Sequence, residues 1–483
     1  MTQSTRSAAV RSRLLSTFAA LGALLPLSIA AADVLPQLSA ADVAQPAGWD
    51  DELRMQEAQD LNPDPRVLEI ELEAKITELE ILPGTKTRVW TYNGTLPGPV
   101  IRARVGDRLI VHFRNSLPEP TTIHWHGLRV PNDMDGAPGV TQDPVPPGGT
   151  FRYEFELRDP GTYWYHPHID SSAQVARGLY GAFIVEDPNE PPGLGDELVL
   201  VLSDMSLDPD GTMRPTDEGG AFGDLFGREG NVLLVNGRVM PTLKVRAGKH
   251  QRWRVINAAR SRYFWLGMRG HSWVHLGGDA GFAERAVDAE RVLVVPGERA
   301  DLVYTPNEEP GTRTTFYWRP FDRGYGTATA RGREPMMYIE TVPDAPVRPV
   351  HFSGELRRIE PIDLAGAIEK TVELTIMSRN RGNMMGINGV AHHYELEARI
   401  GETHVWTIVN DTDFAHPFHL HGYFFQVLDE SRVPEWKDTV NVPAKSRLRI
   451  AVRFDERPGV WMLHCHILDH GEAGMMGHLR VKP

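Results

Sequence analysis

The amino-acid sequence predicts an all-β protein made of three consecutive β-sandwiches. Three observations support this fold class: a threefold repeat along the 483 residues, alternation of apolar and polar side chains within each copy, and turn signals at short intervals. Few stretches carry the apolar period of a helix. Because a chain of this length exceeds what one hydrophobic core organises, about three domains are expected.

Each copy of the repeat opens with Asn-Gly, reaches a glycine 12 or 13 residues after that asparagine, and closes with another asparagine. The alternation between these marks, as in residues 100–105 and 109–114, predicts two strands joined by a glycine turn. A later Pro-Gly precedes an aromatic-rich strand in every copy. This spacing predicts domains over residues 61–190, 191–345 and 346–483. The marks are Asn93-Gly94, Gly106 and Asn115, then Asn236-Gly237, Gly248 and Asn257, then Asn388-Gly389, Gly401 and Asn410.

The first 60 residues have a different composition. Arginines precede an uncharged apolar run over residues 14–32 that ends in small residues, which is the layout of a cleavable secretory signal over residues 1–32. A membrane anchor or a disordered tail is the alternative, disfavoured because Gly22 and Pro26 interrupt a short run. Residues 33–60 are rich in Ala, Pro and acidic residues and predict a tether. The mature protein is therefore expected in the periplasm or outside the cell, without stable membrane insertion.

Charge and cysteine content exclude some classes of partner. The net charge of -13 disfavours nucleic acid and anionic lipid, since both select for clustered Lys and Arg. A single cysteine allows no intramolecular disulfide.

That cysteine lies in the most informative segment of the chain, residues 464–475. A thiolate, two imidazoles and a weak axial thioether form the ligand set of a blue-copper site, and Cys465, His470 and Met475 provide three of these four ligands. In a strand, His464 and His466 point away from the face that carries Cys465. They are therefore available to a different metal.

Four His-x-His pairs occupy equivalent positions in the first and third copies of the repeat. Chance would give roughly one such pair among 19 histidines, so their placement indicates metal ligands. Zinc is the competing metal, but its sites use several cysteines or an isolated set of three ligands, whereas imidazole-rich ligation favours copper. The middle copy has apolar side chains at these positions and is expected to space its neighbours and shape a cleft. The pairs are His124 and His126, His166 and His168, His419 and His421, and His464 and His466, against Leu266, Met268, Phe316 and Trp318 in the middle copy.

These motifs resemble the three-domain multicopper oxidases, the family of laccases, ascorbate oxidase and bacterial copper-efflux oxidases. The resemblance covers the chain after residue 61 and implies three consecutive cupredoxin-like Greek-key β-sandwich domains. It implies four copper ions: one type 1, one type 2 and two type 3. It also implies that a reductant loses single electrons at the type 1 copper, and that dioxygen is reduced to water at the other three ions, with Cys465 and its flanking histidines between them.

The resemblance also assigns ligands. The type 1 copper takes His416, Cys465, His470 and the axial Met475. The type 2 copper takes His124 and His419. The type 3 pair takes His126, His166 and His466 on one ion, and His168, His421 and His464 on the other.

Oxygen reduction consumes protons, so a carboxylate is expected near the cluster. Asp135 matches the acid of the family near the type 2 copper, although a turn aspartate before glycine is the alternative. The second acid of the family follows the last type 1 histidine, where this chain has Gly471 and then Glu472. Glu472 either reaches the same water channel or is a solvated turn residue. Asp438 could orient a ligand or the substrate, but a structural role at a strand edge is the favoured interpretation.

The predicted reactants are dioxygen and a small-molecule or metal-ion reductant. Phenols and aromatic amines are the favoured reductants, and cuprous or manganous ions, in copper tolerance, are the alternative. A cuprous site should present thioethers beside the type 1 histidine, yet no methionine directly precedes His416. The pair Met384-Met385 is more typical of a core. A non-enzymatic scaffold is disfavoured because every expected ligand is present.

Overall fold

The computed structural model describes residues 53–324, 332–343, 355–377 and 385–483. The predicted signal segment and residues 33–52 of the predicted tether lie outside this range. Residues 53–60 run beside Val100, where Ala58 N–H donates to Val100 O and Val100 N–H donates to Gln56 O. None of the helices in the described part of the chain has the length and apolar character needed to cross a membrane.

The first sandwich consists of two four-stranded sheets, with strand orders β2-β1-β4-β6 and β3-β8-β7-β5. A 3-10 turn covers Asn132–Met134, and a short helix α1 covers Ser171–Ala176. The strands are β1 Val67–Leu79, β2 Thr87–Tyr92, β3 Gly98–Arg104, β4 Arg108–Asn115, β5 His124–His126, β6 Thr150–Glu156, β7 Gly161–His166 and β8 Gly181–Glu186.

The second sandwich consists of a six-stranded sheet, β10-β9-β12-β17-β14-β15, and a five-stranded sheet, β11-β19-β18-β13-β16. Helix α2 covers Gly220–Phe226. The strands are β9 Asp196–Met205, β10 Val232–Val235, β11 Thr242–Arg246, β12 Gln251–Asn257, β13 Phe264–Met268, β14 Trp273–Gly278, β15 Gly281–Ala289, β16 Arg291–Val294, β17 Arg299–Tyr304, β18 Arg313–Arg319 and β19 Glu334–Val342.

The third sandwich consists of two five-stranded sheets, β21-β20-β23-β27-β25 and β22-β29-β28-β24-β26. Helix α3 covers Leu468–Glu472. The strands are β20 Ile368–Ile376, β21 Met385–Ile387, β22 Tyr394–Arg399, β23 Thr403–Asn410, β24 His416–Leu420, β25 Phe425–Val427, β26 Thr439–Val442, β27 Ser446–Arg453, β28 Gly459–Cys465 and β29 Met476–Lys482.

The all-β prediction is confirmed, because the helices of the described residues span only five to seven residues each. The predicted pair of strands around Gly106 is present as β3 and β4. The two strands belong to different sheets, however, so the glycine turn carries the chain from one sheet to the other instead of closing a hairpin. Alternation identifies the buried face of a strand but not the strand that pairs with it.

The closing asparagine of each repeat fastens the end of a strand to the following loop. Asn115, Asn257 and Asn410 end β4, β12 and β23 and are fully buried. Their Nδ2 groups donate to the carbonyls of Val145, Val294 and Val442 respectively. Each Oδ1 accepts the N–H of the residue two positions later. The closing asparagine therefore makes equivalent hydrogen bonds in all three sandwiches, just before β5, β13 and β24 along the chain.

The opening Asn-Gly of each repeat forms a turn with left-handed backbone. Asn93, Asn236 and Asn388 have φ of 55°, 50° and 48°, and the glycines that follow have φ of 84°, 73° and 73°. Two successive positive φ angles suit asparagine followed by glycine. These turns connect β2 to β3, β10 to β11 and β21 to β22.

Buried apolar clusters join the first sandwich to the third and, separately, to the middle one. One continuous cluster of buried apolar side chains includes Ile70 of the first sandwich and Val481 of the third. Leu266, Met268 and Trp318 pack in a second cluster within the middle sandwich. The first and third sandwiches therefore share an apolar face, next to which the paired histidines lie.

The buried asparagines predict a stability difference within the repeat. Asn257→Ala leaves the carbonyls of Arg262 and Val294 and the N–H of Ala259 without their side-chain partner. We expect a loss on the order of 3 kcal/mol, because each buried group left unpaired costs about 1–3 kcal/mol. Urea unfolding followed by tryptophan fluorescence measures this loss. Asn388→Gly, at a half-buried turn whose left-handed backbone glycine adopts without strain, is the matched control, and equal losses in both variants would contradict this account.

Candidate metal centre

The eight paired histidines converge between the first and third sandwiches. Strand β5 pairs with β7 so that His124 faces His166, and β24 pairs with β28 so that His419 faces His464. All eight side chains are at most 5% exposed. We call this set the histidine cluster: His124, His126, His166, His168, His419, His421, His464 and His466.

Rings from the two sandwiches stack on one another across the interface. The His126 and His419 rings lie parallel with centroids 3.9 Å apart, and the His124 and His421 rings stack at 3.8 Å. The histidine cluster is therefore a single assembly, with four imidazoles from the first sandwich and four from the third.

His124 and His419, the predicted type 2 ligands, present the same nitrogen inward. Their Nδ1–H groups each donate to a backbone carbonyl at 2.9 Å, that of Asp135 and that of Asp438 respectively. Because a carbonyl only accepts, each Nε2 carries the lone pair. Neither Nε2 has a hydrogen-bond partner among the described residues. Buried acceptors without partners are costly unless a metal binds them, so these two atoms fit a metal site.

His168, His421 and His464, one predicted type 3 set, converge through their Nε2 atoms. Nε2 of His464 lies 3.1 Å from Nε2 of His421 and 3.4 Å from Nε2 of His168. The outer Nδ1–H groups of His464 and His421 donate to Cys465 O and to Asp135 Oδ2. Lone pairs facing one another at these distances fit a cation between them.

The other predicted type 3 set is more loosely assembled. The ligand atoms of His126 and His166 lie within 4.8 Å of each other and of His124. His466 approaches the group through Nε2, which is 3.2 Å from Nδ1 of His126. His126 presents Nδ1 because its Nε2–H donates to Asp438 Oδ1 at 3.1 Å. The described structure therefore brings all eight predicted ligands of the trinuclear site together.

The predicted type 1 ligands form a second group, which we call the cysteine site: His416, Cys465, His470 and Met475. Cys465 Sγ lies 3.6 Å from Nδ1 of both His416 and His470, and these two nitrogens are 3.1 Å apart. Met475 is fully buried, and its backbone carbonyl accepts the N–H of Cys465 at 3.0 Å. The three ligand atoms meet at one point, as a shared metal ion requires.

Helix α2 covers the cysteine site. The outer Nε2–H of His470 donates to Leu225 O at 3.0 Å, and the ring of Phe226 lies against that of Phe414. His416 and His470 are at most 1% exposed. A reductant therefore touches no imidazole of this site directly while the helix stays in this position.

Burial determines the protonation of both groups. It lowers the pKa of His464 and of His470 to about 3. It raises the pKa of the Cys465 thiol well above its usual range, and a bound cation would reverse that shift by stabilising the thiolate. Neutral imidazoles are the form that binds metals, so the buried histidines are in the right state for ligation.

Of the predicted acids, Asp135 and Asp438 lie at the histidine cluster. Asp135 is buried, and its Oδ2 accepts from His421 Nδ1 at 2.8 Å, while its Oδ1 has no hydrogen-bond partner among the described residues. Asp438 directly precedes β26, as a strand-edge residue would, but its side chain contacts His126. The contact agrees with the less favoured interpretation, that Asp438 orients a ligand, but no sequence pattern identifies His126 as its partner 312 positions away.

Two other predicted residues lie away from the ligands. Glu472 is exposed, and its Oε1 accepts from the N–H and the hydroxyl of Ser171 at 2.7 and 2.8 Å. Met385 is fully buried in the core shared by the first and third sandwiches, whereas Met384 lies outside the described residues. Met385 is therefore a core residue, as the sequence favoured.

Known proteins match this architecture along the chain. Residues 73–190, 196–333 and 364–483 each match a family model described as multicopper oxidase. The multicopper oxidase MmcO of Mycobacterium tuberculosis is 33% identical over 435 residues, which cover 80% of this chain and 82% of that protein. This chain belongs to the multicopper oxidase family.

Two further relatives of this multicopper oxidase carry more specific descriptions. A laccase of Bacillus subtilis is 27% identical over 470 residues, covering 81% of this chain and 89% of the laccase. A solved multicopper oxidase from Campylobacter jejuni, described as a metallo-oxidase, superposes with a TM-score of 0.80 at 29% identity, covering 90% of this chain and 95% of the other. The family uses copper and dioxygen. The unpaired Nε2 atoms and the thiolate-imidazole group of this chain fit that metal.

The depressed histidine pKa values predict how stability depends on pH. An unfolded histidine titrates near 6.5, so below that pH the unfolded copper-free chain binds more protons than the folded one. Each histidine with a pKa of about 3, such as His464 and His470, should therefore cost about 1.4 kcal/mol of stability per unit of pH below 6.5. Urea midpoints of copper-free protein between about pH 6.5 and 5.5 test this, because carboxylates with ordinary pKa values change little in that range, and Asp279, whose pKa burial raises to about 7, opposes the trend there. Copper-loaded protein is the control and should vary less, and identical profiles would contradict the expectation.

Proposed function

We propose that this chain oxidises phenols or aromatic amines one electron at a time at the cysteine site, and reduces dioxygen to water at the histidine cluster. It would hold four copper ions, with the type 1, type 2 and type 3 ligands assigned above. We also propose that it acts in the periplasm or outside the cell after removal of residues 1–32, and that its domains cover residues 61–190, 191–345 and 346–483. The N-terminal pattern and the repeat spacing support these last assignments.

The observation that carries the proposal is the position of Cys465 between the two metal-binding groups. Its thiol meets His416 and His470 on one side of β28. Its sequence neighbours His464 and His466 face the other side and belong to the histidine cluster. One peptide bond therefore separates a soft, one-electron site from an imidazole-rich site. Such a short covalent connection suits electron transfer and has no evident use in a structural metal site.

Copper bound at the two groups would accept single electrons from the reductant and pass them to dioxygen. The residues of the chain determine where this happens. His470 donates its outer N–H to Leu225 O, which fixes the ring and keeps water away from the cysteine site. His464 donates to Cys465 O at 3.0 Å, which adds a hydrogen bond to the covalent connection between the groups.

In this proposal Asp135 delivers the protons. Its Oδ2 holds the outer N–H of His421, and its Oδ1 lies 3.4 Å from Nδ1 of His124. A carboxylate in this position can take a proton from water on Oδ1 and give it up beside the reacting oxygen. Glu472 remains a second candidate, at the surface next to Ser171.

Oxidation of metal ions is the second candidate function. The specific observation in its favour is the cover that helix α2 places over His470, since an aromatic ring cannot stack on an imidazole edge that is buried. The Campylobacter jejuni relative described as a metallo-oxidase has the same fold. Cuprous or manganous ions would then be the reductants.

Oxygen uptake with different reductants tests the proposed function. Copper-loaded protein should consume dioxygen with a phenol and with an aromatic amine, and faster than with Cu(I) or Mn(II). Cys465→Ser should abolish uptake with every reductant, because Ser lacks the soft ligand, while copper still binds to the histidine cluster. Uptake retained by Cys465→Ser would overturn the proposal, and a clear preference for Cu(I) or Mn(II) would select the second candidate.

The two acids are separated by matched amide variants. Asp135→Asn keeps an acceptor for His421 but cannot carry a proton, so we expect oxygen reduction to slow on the order of 100-fold. Glu472→Gln should have a much smaller effect, since this carboxylate is exposed and bound to Ser171. Steady-state oxygen uptake as a function of pH measures both. Equal losses would show that Glu472 belongs to the proton path, and no loss in Asp135→Asn would remove Asp135 from it.

A further inference from the structure

The middle sandwich contributes one buried cation to the surroundings of the histidine cluster. Arg299, the first residue of β17, is 1% exposed. Its guanidinium forms a two-pronged ion pair with Asp438, with Nη1 at 2.8 Å from Oδ1 and Nη2 bound to Oδ2. Its Nε donates to Thr162 O in β7 of the first sandwich at 2.8 Å. One side chain therefore connects all three sandwiches.

The partner of Arg299 holds a ligand from each of the other sandwiches. Oδ1 of Asp438 accepts the Nε2–H of His126, and the backbone carbonyl of Asp438 accepts the Nδ1–H of His419. The rings of these two histidines are the stacked pair at 3.9 Å. The position of Asp438 therefore sets which nitrogen each ring presents to the cluster.

An acid of the middle sandwich, Asp279, fixes the main chain at this point. Asp279 accepts the N–H of Arg299 at 3.0 Å and the N–H groups of Asp438 and Thr439 at 3.2 Å. Lys437 Nζ lies 3.3 Å from the same carboxylate. Both ends of the Arg299 and Asp438 pair are thus anchored, and a buried ion pair that keeps all its partners is held in one geometry.

Two glycines allow the backbone to approach this pair and the cluster. A Cβ on Gly127, which directly follows His126, would lie 2.5 Å from Arg299 Nη2 and 2.6 Å from Asp438 Oδ2. A Cβ on Gly297 would lie 2.7 Å from Cδ2 of His466, and the Gly297 carbonyl accepts from Arg299 Nη1 at 2.9 Å. Both glycines have φ above 80°, which other residues rarely adopt.

We propose that Arg299 is a positioning residue for the histidine cluster, acting through the Asp438 carboxylate on the orientation of His126 and His419. The sandwich that supplies no ligand would then determine the geometry of the type 2 and type 3 sites. This inference rests on the ligand assignment proposed above. The cysteine site serves as an internal reference, because its ligands have other partners, Thr412 and Leu225.

Arg299→Lys and Arg299→Met test this role in the full-length copper-loaded protein. Lysine keeps the charge but cannot form the fork, and methionine removes both. Arg252 provides the matched control, since it is a buried arginine of the same sheet that forms a fork with Asp301. The measurements are copper per chain, the type 2 signal in electron paramagnetic resonance, and the blue absorption of the cysteine site.

We expect both Arg299 variants to keep the blue absorption and to show an altered type 2 signal. They should also bind copper at the histidine cluster about 10–100-fold more weakly, because this is the typical effect of losing a residue that orients a metal ligand. Arg299→Lys should lie between wild type and Arg299→Met, and it decides the question if Arg299→Met does not accumulate. Arg252→Lys should lower stability and leave the type 2 signal unchanged. Wild-type signals in Arg299→Lys, or the same change in Arg252→Lys, would overturn the inference. A wild-type protein without blue absorption and type 2 signal would instead overturn the proposed function.

Discussion

The structure depends on one electrostatic constraint. Eight neutral imidazoles must meet in a buried interface with their lone pairs directed at one another. Without a cation, such an arrangement is unfavourable, because lone pairs repel and unpaired buried acceptors lose their hydration. The chain therefore has to hold each ring from behind. Backbone carbonyls of Asp135, Pro167, Cys465 and Asp438 accept the outer N–H groups of His124, His166, His464 and His419. These bonds leave the inner nitrogen of each of these four rings with a lone pair that a metal ion could bind.

The repeated fold satisfies this constraint by presenting the same strand positions twice. In the first and third sandwiches the closing asparagine ties the strand that it ends to the loop before β5 or β24, because Asn115 donates to Glu119 O and Asn410 donates to Phe414 O. The shared apolar core then brings the two ligand strands together. The middle sandwich keeps the same hydrogen bonds at Asn257 but has its apolar core where the histidines would be. Its contribution is instead the ion pair of Arg299 with Asp438.

The sequence was sufficient to predict the parts of the site that occur in both the first and the third copies of the repeat. All-β structure and the eight clustered histidines follow from spacing, because two copies of a pattern carry information that one copy lacks. Contacts between distant segments were beyond its reach. The pairing of Asp438 with His126 and Arg299, and the contact of His470 with the backbone carbonyl of Leu225, depend on how sandwiches and a short helix dock. A carbonyl is present at every residue, so no sequence signal distinguishes that of Leu225. The sequence also did not indicate that β3 and β4 belong to different sheets, because the alternation of side chains does not specify a partner strand.

The two metal-binding groups differ in the nitrogen that they use, and this difference follows from where their ligands originate. His416 and His470 present Nδ1, the nitrogen close to the main chain, and both belong to the third sandwich with Cys465. Three ligands from neighbouring segments can therefore close to 3.6 Å around one point. In the histidine cluster His168, His421 and His464 present Nε2, which lies farther from the main chain and reaches across the interface between sandwiches. His126 is the exception, and it presents Nδ1 because Asp438 holds its Nε2. The short reach lets the ligand atoms of the cysteine site all come from one sandwich, whereas the long reach makes the histidine cluster depend on the docking of two.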